Sequence, residues 1–320
     1  MPVVEVRHLT VRFHPSNRAF RGDSHMIRAV DDVSFDLASG QTLGLVGESG
    51  CGKTTLGCAV VGLTKATSGG VWFDGEDITT LNRTALRSRR RKFQMIFQDP
   101  QTTLDPCMTA GEIVSEALEI QKLVQSKQER RDRVLALLES VGLDSTQLHR
   151  YPHEFSGGQR QRIGIARALA VRPRLIVCDE PVSALDVSVQ AQIINLLRDL
   201  QRSHGIAYLF ISHDLAVVEH ISHRMMVMYF GKLVEIGDTK AICKAPRHPY
   251  TQALMSAVPE IDSESKRRRI ILRGEPPSPM SPPPGCPFHP RCPVAIERCR
   301  TVVPELREVG EDHQVVCHLA

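Results

Sequence analysis

Thr42-Leu43-Gly44-Leu45-Val46-Gly47-Glu48-Ser49-Gly50-Cys51-Gly52-Lys53-Thr54 decides the fold. Its first five residues form a short apolar run, and Gly47 to Thr54 fit G-x-x-x-x-G-K-[ST]. From residue 54 to 63 the apolar spacing is helical. A strand that runs into a glycine-rich loop and out into a helix opens an α/β domain built on a parallel sheet. The glycines let the loop turn its N–H groups inward at a helix N-terminus, where an anion is favoured. Lys53 is expected to reach the β- and γ-phosphates of a nucleotide, and Thr54 to offer its hydroxyl to Mg²⁺. A coincidental turn is the plain alternative, and the strand–loop–helix context weighs against it.

Working outward, alternation at Val4, Val6, Leu9, Val11 and Phe13 predicts a first strand, and residues 30–37 a second. Residues 16–26 are polar and read as a loop. Residues 93–97 form a mainly apolar strand candidate and 175–178 and 208–211 continuous apolar ones, which suits a sheet covered on both faces. Helical periodicity predicts helices over about 109–141, 158–171 and 189–202, with Gly142 as a C-cap. Composition shifts near residue 258, where a polar stretch, the basic cluster 266–269 and the proline-rich 275–284 lead into a cysteine-bearing tail. The expected division is therefore 1–258 and 259–320.

Length and composition bound the rest. The 320 residues exceed one average domain, and 42% hydrophobic with 24% charged residues excludes bulk disorder. Forty basic against thirty-six acidic residues leave +4, too little to argue nucleic-acid binding. No apolar run reaches the roughly 18 residues that cross a bilayer, and no secretory signal is visible. Residence in the cytosol is expected, with any membrane role peripheral. In that compartment the nine cysteines should be thiols or metal ligands.

Two further segments carry chemistry. Leu175-Ile176-Val177-Cys178-Asp179-Glu180 sets two carboxylates at the end of an apolar strand. Asp179 would hold magnesium and Glu180 would polarise an attacking water; a solvated acidic turn is the bland alternative. Phe155-Ser156-Gly157-Gly158-Gln159-Arg160-Gln161-Arg162 precedes a predicted helix, and a serine with two glycines there makes a second anion site. One chain with two phosphate cradles suggests that the second serves a partner subunit's nucleotide. The arginines at 87 and 89–91 read as a solvated surface run.

Together these segments closely resemble the nucleotide-binding subunit of ATP-binding-cassette (ABC) transporters over roughly residues 3–258. Gly47, Glu48, Ser49, Gly50, Cys51, Gly52, Lys53 and Thr54 match the Walker A loop, with Thr55 beside it. Gln98 matches the Q-loop, Ser156, Gly157, Gly158 and Gln159 the signature, Asp179 and Glu180 the Walker B strand, Asp186 the D-loop and His213 the switch histidine. The resemblance implies a P-loop NTPase core with a parallel sheet, an antiparallel β subdomain and a helical subdomain at about 99–170. It further implies that two cassettes sandwich ATP head to tail. Glu180 would be the general base, Gln98 would touch Mg²⁺ and water, and His213 the γ-phosphate. Asp186 would line the dimer seam, with the signature acting in trans. Phe13 is best placed to stack on adenine, with Phe20 as rival and a strand-end core role as the plain alternative for Phe13. Phe155 stands where the family usually has leucine, and Thr54 where serine is commoner.

Cys286, Cys292, Cys299 and Cys317 follow C-x5-C-x6-C-x17-C. Taken alone this spacing leaves open a Cys₄ zinc site, an iron–sulfur cluster or reduced packing cysteines. The tail as a whole resembles the small Cys-rich C-terminal extension of oligopeptide and dipeptide importer cassettes. That resemblance implies a [4Fe–4S] cluster on these four positions, with zinc as the less favoured alternative. It also implies an F-type subunit paired with a different D-type cassette, two permeases and an extracytoplasmic binding protein, on the cytoplasmic face of a prokaryotic inner membrane. Glutathione or nickel complexes are alternative cargoes. The different-class rival is a soluble cassette ATPase acting on nucleic acid, which usually carries tandem cassettes or basic arms; this chain has neither. A non-hydrolysing regulatory subunit is a third reading.

Overall fold

The structure, a computed structural model, describes residues 2–14, 26–258, 270–278 and 280–320. Most of the polar loop, including Phe20, and the basic cluster 266–269 lie outside them. The strands are β1 (Pro2–Phe13), β2 (Ile27–Ala38), β3 (Thr42–Val46), β4 (Ser68–Phe73), β5 (Glu76–Asp77), β6 (Phe93–Ile96), β7 (Leu175–Asp179), β8 (Ala207–Ile211), β9 (Arg224–Tyr229), β10 (Lys232–Asp238), β11 (Leu306–Gly310) and β12 (His313–Val316). The chain divides into two compact units. One is mainly Thr80–Phe210; the other comprises Val4–Leu37, Thr42–Thr79 and Ile211–Ala320.

Within the first unit β7 lies between β8 and β6. β6 and β7 are parallel, with Phe93 opposite Leu175 and Ile96 opposite Cys178. All five residues of β7 and of β8 are buried, as suits their apolar runs, and β7 ends in the buried carboxylate of Asp179. Helices Ala110–Ile120, Lys127–Ser140 and Gly157–Leu169 pack on one another in the same unit. Periodicity alone predicts a single helical stretch over 109–141; the structure breaks it after Ile120. The cause is a second start signal: Ser126 accepts the Glu129 N–H and caps a new helix, as Thr109 caps the preceding one in a reciprocal capping box with Glu112. Ile113, Val114, Leu118, Val134 and Leu138 are buried, each contributing roughly 1.5–3 kcal/mol.

In the second unit β1, β2, β4 and β5 form a four-stranded sheet in the order β2-β1-β4-β5, with β1 and β4 antiparallel. β3 pairs in parallel with β9, Leu43 lying opposite Arg224 and Val46 opposite Val227. β9 turns back into antiparallel β10 through Phe230-Gly231. The tail adds two strands that the sequence reading does not contain: β12 pairs antiparallel with β10, Glu235 opposite Val315, and β11 with β12.

Candidate functional site

The phosphate loop joins β3 to helix Lys53–Val60 in the second unit. Gly52 caps that helix at φ 106°, and a Cβ there would lie 2.0 Å from the Ala29 carbonyl oxygen, so only glycine fits. Lys53 is 6% exposed, yet its ammonium is satisfied: Nζ donates to the carbonyl oxygens of Gly47 at 2.7 Å and Glu48 at 3.0 Å. The charge is thereby held at the heart of the loop, while Ser49, Gly50 and Thr54 are exposed. The arrangement is a positive cradle at a helix start, suited to an anion. Cys51 is buried, and burial pushes its thiol pKa up, which disfavours ready alkylation.

His213 lies in the same unit, exposed just beyond β8. It is placed by its neighbours. The Ser212 N–H donates to the Leu45 carbonyl at 3.2 Å, and Asp214 caps helix Leu215–Ile221 by accepting the Ala216 N–H. His223 has a structural task, its Nδ1 accepting the Thr42 N–H at 3.0 Å.

The first unit holds the acidic strand end. Asp179 closes β7 and is 5% exposed. Glu180 follows at φ 46°, a left-handed conformation unusual for a residue with a Cβ. Gln98, two residues past β6, donates through Nε2 to Glu180 Oε2 at 3.0 Å. The sheet register explains the meeting. Ile96 lies opposite Cys178, so residues two further along each parallel strand emerge side by side.

Ser156 begins helix Gly157–Leu169. Its Oγ accepts the Gln159 N–H at 3.3 Å, and Gln159 Oε1 accepts the Ser156 N–H at 3.0 Å. A Cβ on Gly158 would come within 2.4 Å of Val189 Cγ1, so packing alone demands glycine there. Asp186 caps helix Val187–His204, accepting from the Ser188 hydroxyl and the Val189 N–H. Those bonds, the Ser188 one foremost, hold its carboxyl below the usual range. Phe13 stands at the end of β1 and is 42% exposed, which removes the core alternative for it. Gln98 and Glu180 are thus in direct contact. Lys53, Thr54 and His213 share one unit, and Gln98, Ser156, Asp179, Glu180 and Asp186 the other.

In the tail Cys286, Cys299 and Cys317 are buried and Cys292 is half-buried. Burial pushes Cys286 up to about 11, with the nearby charges of Cys299, Cys317 and Cys292 adding to the rise. Among the described residues no group of three or more His, Cys, Asp or Glu is placed to hold a metal ion. A tetrahedral zinc site needs thiolates about 3.8 Å apart, and the expected metal centre has no support from this geometry. No helix among the described residues is long and apolar enough to cross a membrane.

Residues 30–183 match the ABC transporter family, and residues 234–299 match the oligopeptide/dipeptide transporter C-terminal region. The chain belongs to the ATP-binding proteins of ABC transporters and carries the C-terminal region of their oligopeptide/dipeptide branch. It is 51% identical over 316 residues to a putative peptide import ATP-binding protein of Brucella ovis, covering 99% of this chain and 97% of that one. It is 50% identical over 320 residues to the oligopeptide transport ATP-binding protein AppF of Bacillus subtilis, covering 99% and 97%. Among solved structures it is similar to the post-hydrolysis dimer of the ATP-binding cassette MJ0796 bound to ADP and Pi. The TM-score is 0.66 and the identity 30%, over 74% of this chain and 98% of that one. The mixed α/β cassette expected from the sequence is the fold observed.

Proposed function

We propose that this chain is the ATP-hydrolysing subunit of a bacterial ABC importer for di- and oligopeptides. The observation that carries the reading is the phosphate loop: a left-handed Gly52 cap and a buried Lys53 ammonium at the start of a helix. The names of the relatives direct the reading towards peptide import.

Lys53 and the loop amides of residues 47–55 neutralise the phosphates of ATP. Thr54, Gln98 and Asp179 supply a hydroxyl, an amide oxygen and a carboxylate, the hard oxygen donors that suit Mg²⁺. The metal, when bound, spreads the charge that develops on the transferred phosphoryl group. Glu180 accepts a proton from the attacking water, Gln98 orients both, and His213 contacts the γ-phosphate. Phe13 offers its exposed ring to adenine. Ser156, Gly157, Gly158 and Gln159 serve the nucleotide of a second cassette, with Asp186 at that seam. The second cassette is a D-type subunit and this chain the F-type one, bound peripherally under two permeases fed by an extracytoplasmic binding protein.

A second assignment rests on the resemblance of the tail alone: a [4Fe–4S] cluster on Cys286, Cys292, Cys299 and Cys317, with zinc as the less favoured alternative. Those four cysteines would hold the group, whose role would be structural, since ATP hydrolysis moves no electrons.

The decisive experiment is ATPase activity of the reconstituted transporter with and without peptide-loaded binding protein. Stimulation by peptides, lost in Lys53→Ala, supports the assignment. Stimulation by glutathione or a nickel complex instead changes the cargo, and stimulation by nucleic acid without permeases overturns the class.

A further inference from the structure

Glu48 places a carboxylate inside the phosphate loop, where a polyanion is to bind. The tail answers that charge. Arg291 grips the carboxylate with two parallel bonds, Nη1 to Oε2 at 2.7 Å and Nη2 to Oε1 at 3.0 Å. The Arg291 side chain is only 8% exposed and lies over the Tyr229 ring, 6.0 Å from its centroid. The same Glu48 is fixed at two backbone points. Its N–H donates to the Tyr250 hydroxyl at 2.8 Å, and its carbonyl accepts from Lys53 Nζ. Tyr250, Tyr229 and Phe288 form a tight aromatic cluster: Tyr229 lies 4.7 Å from Tyr250 and 5.1 Å from Phe288. Phe288 and Arg291 both belong to the turn between Cys286 and Cys292. All of these groups lie within the second unit.

We propose that Arg291 of the C-terminal tail is a positioning residue for the phosphate loop, acting through Glu48 to cancel its charge and fix its backbone, and so setting the affinity for ATP. The inference rests on the ATP-binding reading of that loop. An unpaired carboxylate at this point repels the phosphates through a partly desolvated medium, where charges interact more strongly than in water. The bidentate guanidinium removes that repulsion and holds the loop in one geometry. Lysine keeps the charge and loses the fork. The nucleotide loop is in this way tied to a segment some 240 residues away that the hydrolysis chemistry itself does not require.

The test is equilibrium binding of ATP to the purified full chain, wild type against Arg291→Gln, Arg291→Lys, Glu48→Gln and the double variant Arg291→Gln/Glu48→Gln, with Lys53→Ala as the control for the loop. Arg291→Gln is expected to weaken ATP binding about tenfold, and the loss to shrink as salt is raised towards about 0.5 M. Arg291→Lys should recover most of the affinity. The double variant should bind ATP several-fold more tightly than Arg291→Gln alone, because the uncompensated carboxylate is gone, while still falling short of wild type through loss of the fork that fixes the loop. Should Arg291→Gln fail to fold, the double variant and Arg291→Lys carry the same comparison. Unchanged affinity in Arg291→Gln overturns the proposal, as does a double variant as weak as the single one. A wild-type chain that binds no ATP overturns the parent reading and this one with it.

Discussion

Gln98 and Glu180 are joined by a hydrogen bond of 3.0 Å across the ends of two neighbouring parallel strands. The amide therefore fixes the direction in which the carboxylate points. Replacing Glu180 by Gln keeps the shape and removes the base proposed for the attacking water. Turnover in the assembled transporter should fall by about 10²–10⁴-fold while ATP affinity stays within a few fold of wild type. Gln98→Ala keeps the base and frees its orientation, so a smaller loss, up to about a hundredfold, is expected. Steady-state kinetics with parallel nucleotide binding reads both. A Glu180→Gln enzyme that retained full turnover would remove Glu180 from the chemistry.

Much of this site is legible in the sequence because its signals are local. The phosphate loop needs glycine where φ reaches 106° and a lysine directly after, so its motif is contiguous. The strands β3, β7 and β8 read as strands because each is a short, mainly apolar run, over residues 43–46, 175–178 and 207–211. What the sequence hides is register and distant closure. Gln98 meets Glu180 only because Ile96 lies opposite Cys178, and no spacing in one strand reports the offset of another. Likewise β11 is exposed along most of its length, so it shows no apolar alternation; only its pairing with β12 makes it a strand. Arg291 stands among cysteines that draw attention to themselves, and nothing nearby in sequence points to Glu48.

His248 gives a pH prediction. It is 1% exposed, caps helix Pro249–Ser256 by accepting the Tyr250 N–H at Nδ1, and lies against Phe288 with the rings tilted and their centroids 5.6 Å apart. Burial pulls its pKa down to about 3. An unfolded chain binds the proton near pH 6.5 and the folded one does not, so stability is complete above about pH 6.5 and is lost as pH falls towards 3. The slope from this one group reaches about 1.4 kcal/mol per pH unit. Asparagine can accept the same N–H without titrating. His248→Asn should flatten the decline of Tm between pH 6.5 and 5; a decline identical to wild type would assign it to other groups.

The cysteine tail yields a composition test. Protein purified without oxygen should be brown and carry about four irons per chain, and Cys292→Ser should lose that iron while keeping ATP binding. Cys292 is the test position because it is the least buried of the four, so a serine there disturbs packing least. One zinc per chain in place of iron would defeat the cluster assignment.

The signature segment offers a separation of binding from turnover. Ser156 is exposed and makes its cap with Gln159 alone, while Gly158 is closed in by Val189. A large side chain at 156 thus projects outward, whereas one at 158 collides within the fold. Ser156→Trp should cost about 1 kcal/mol of stability through loss of the cap and leave the ATP affinity of the isolated chain unchanged. In the assembled transporter it should abolish stimulated hydrolysis, because in the proposed in-trans arrangement the ring occupies the space where the other cassette presents its nucleotide. Gly158→Val, by contrast, should lower Tm by several degrees in the isolated chain. If Ser156→Trp weakened ATP binding by the single chain, its partner would be its own nucleotide, and the reading of this segment as acting in trans would fail.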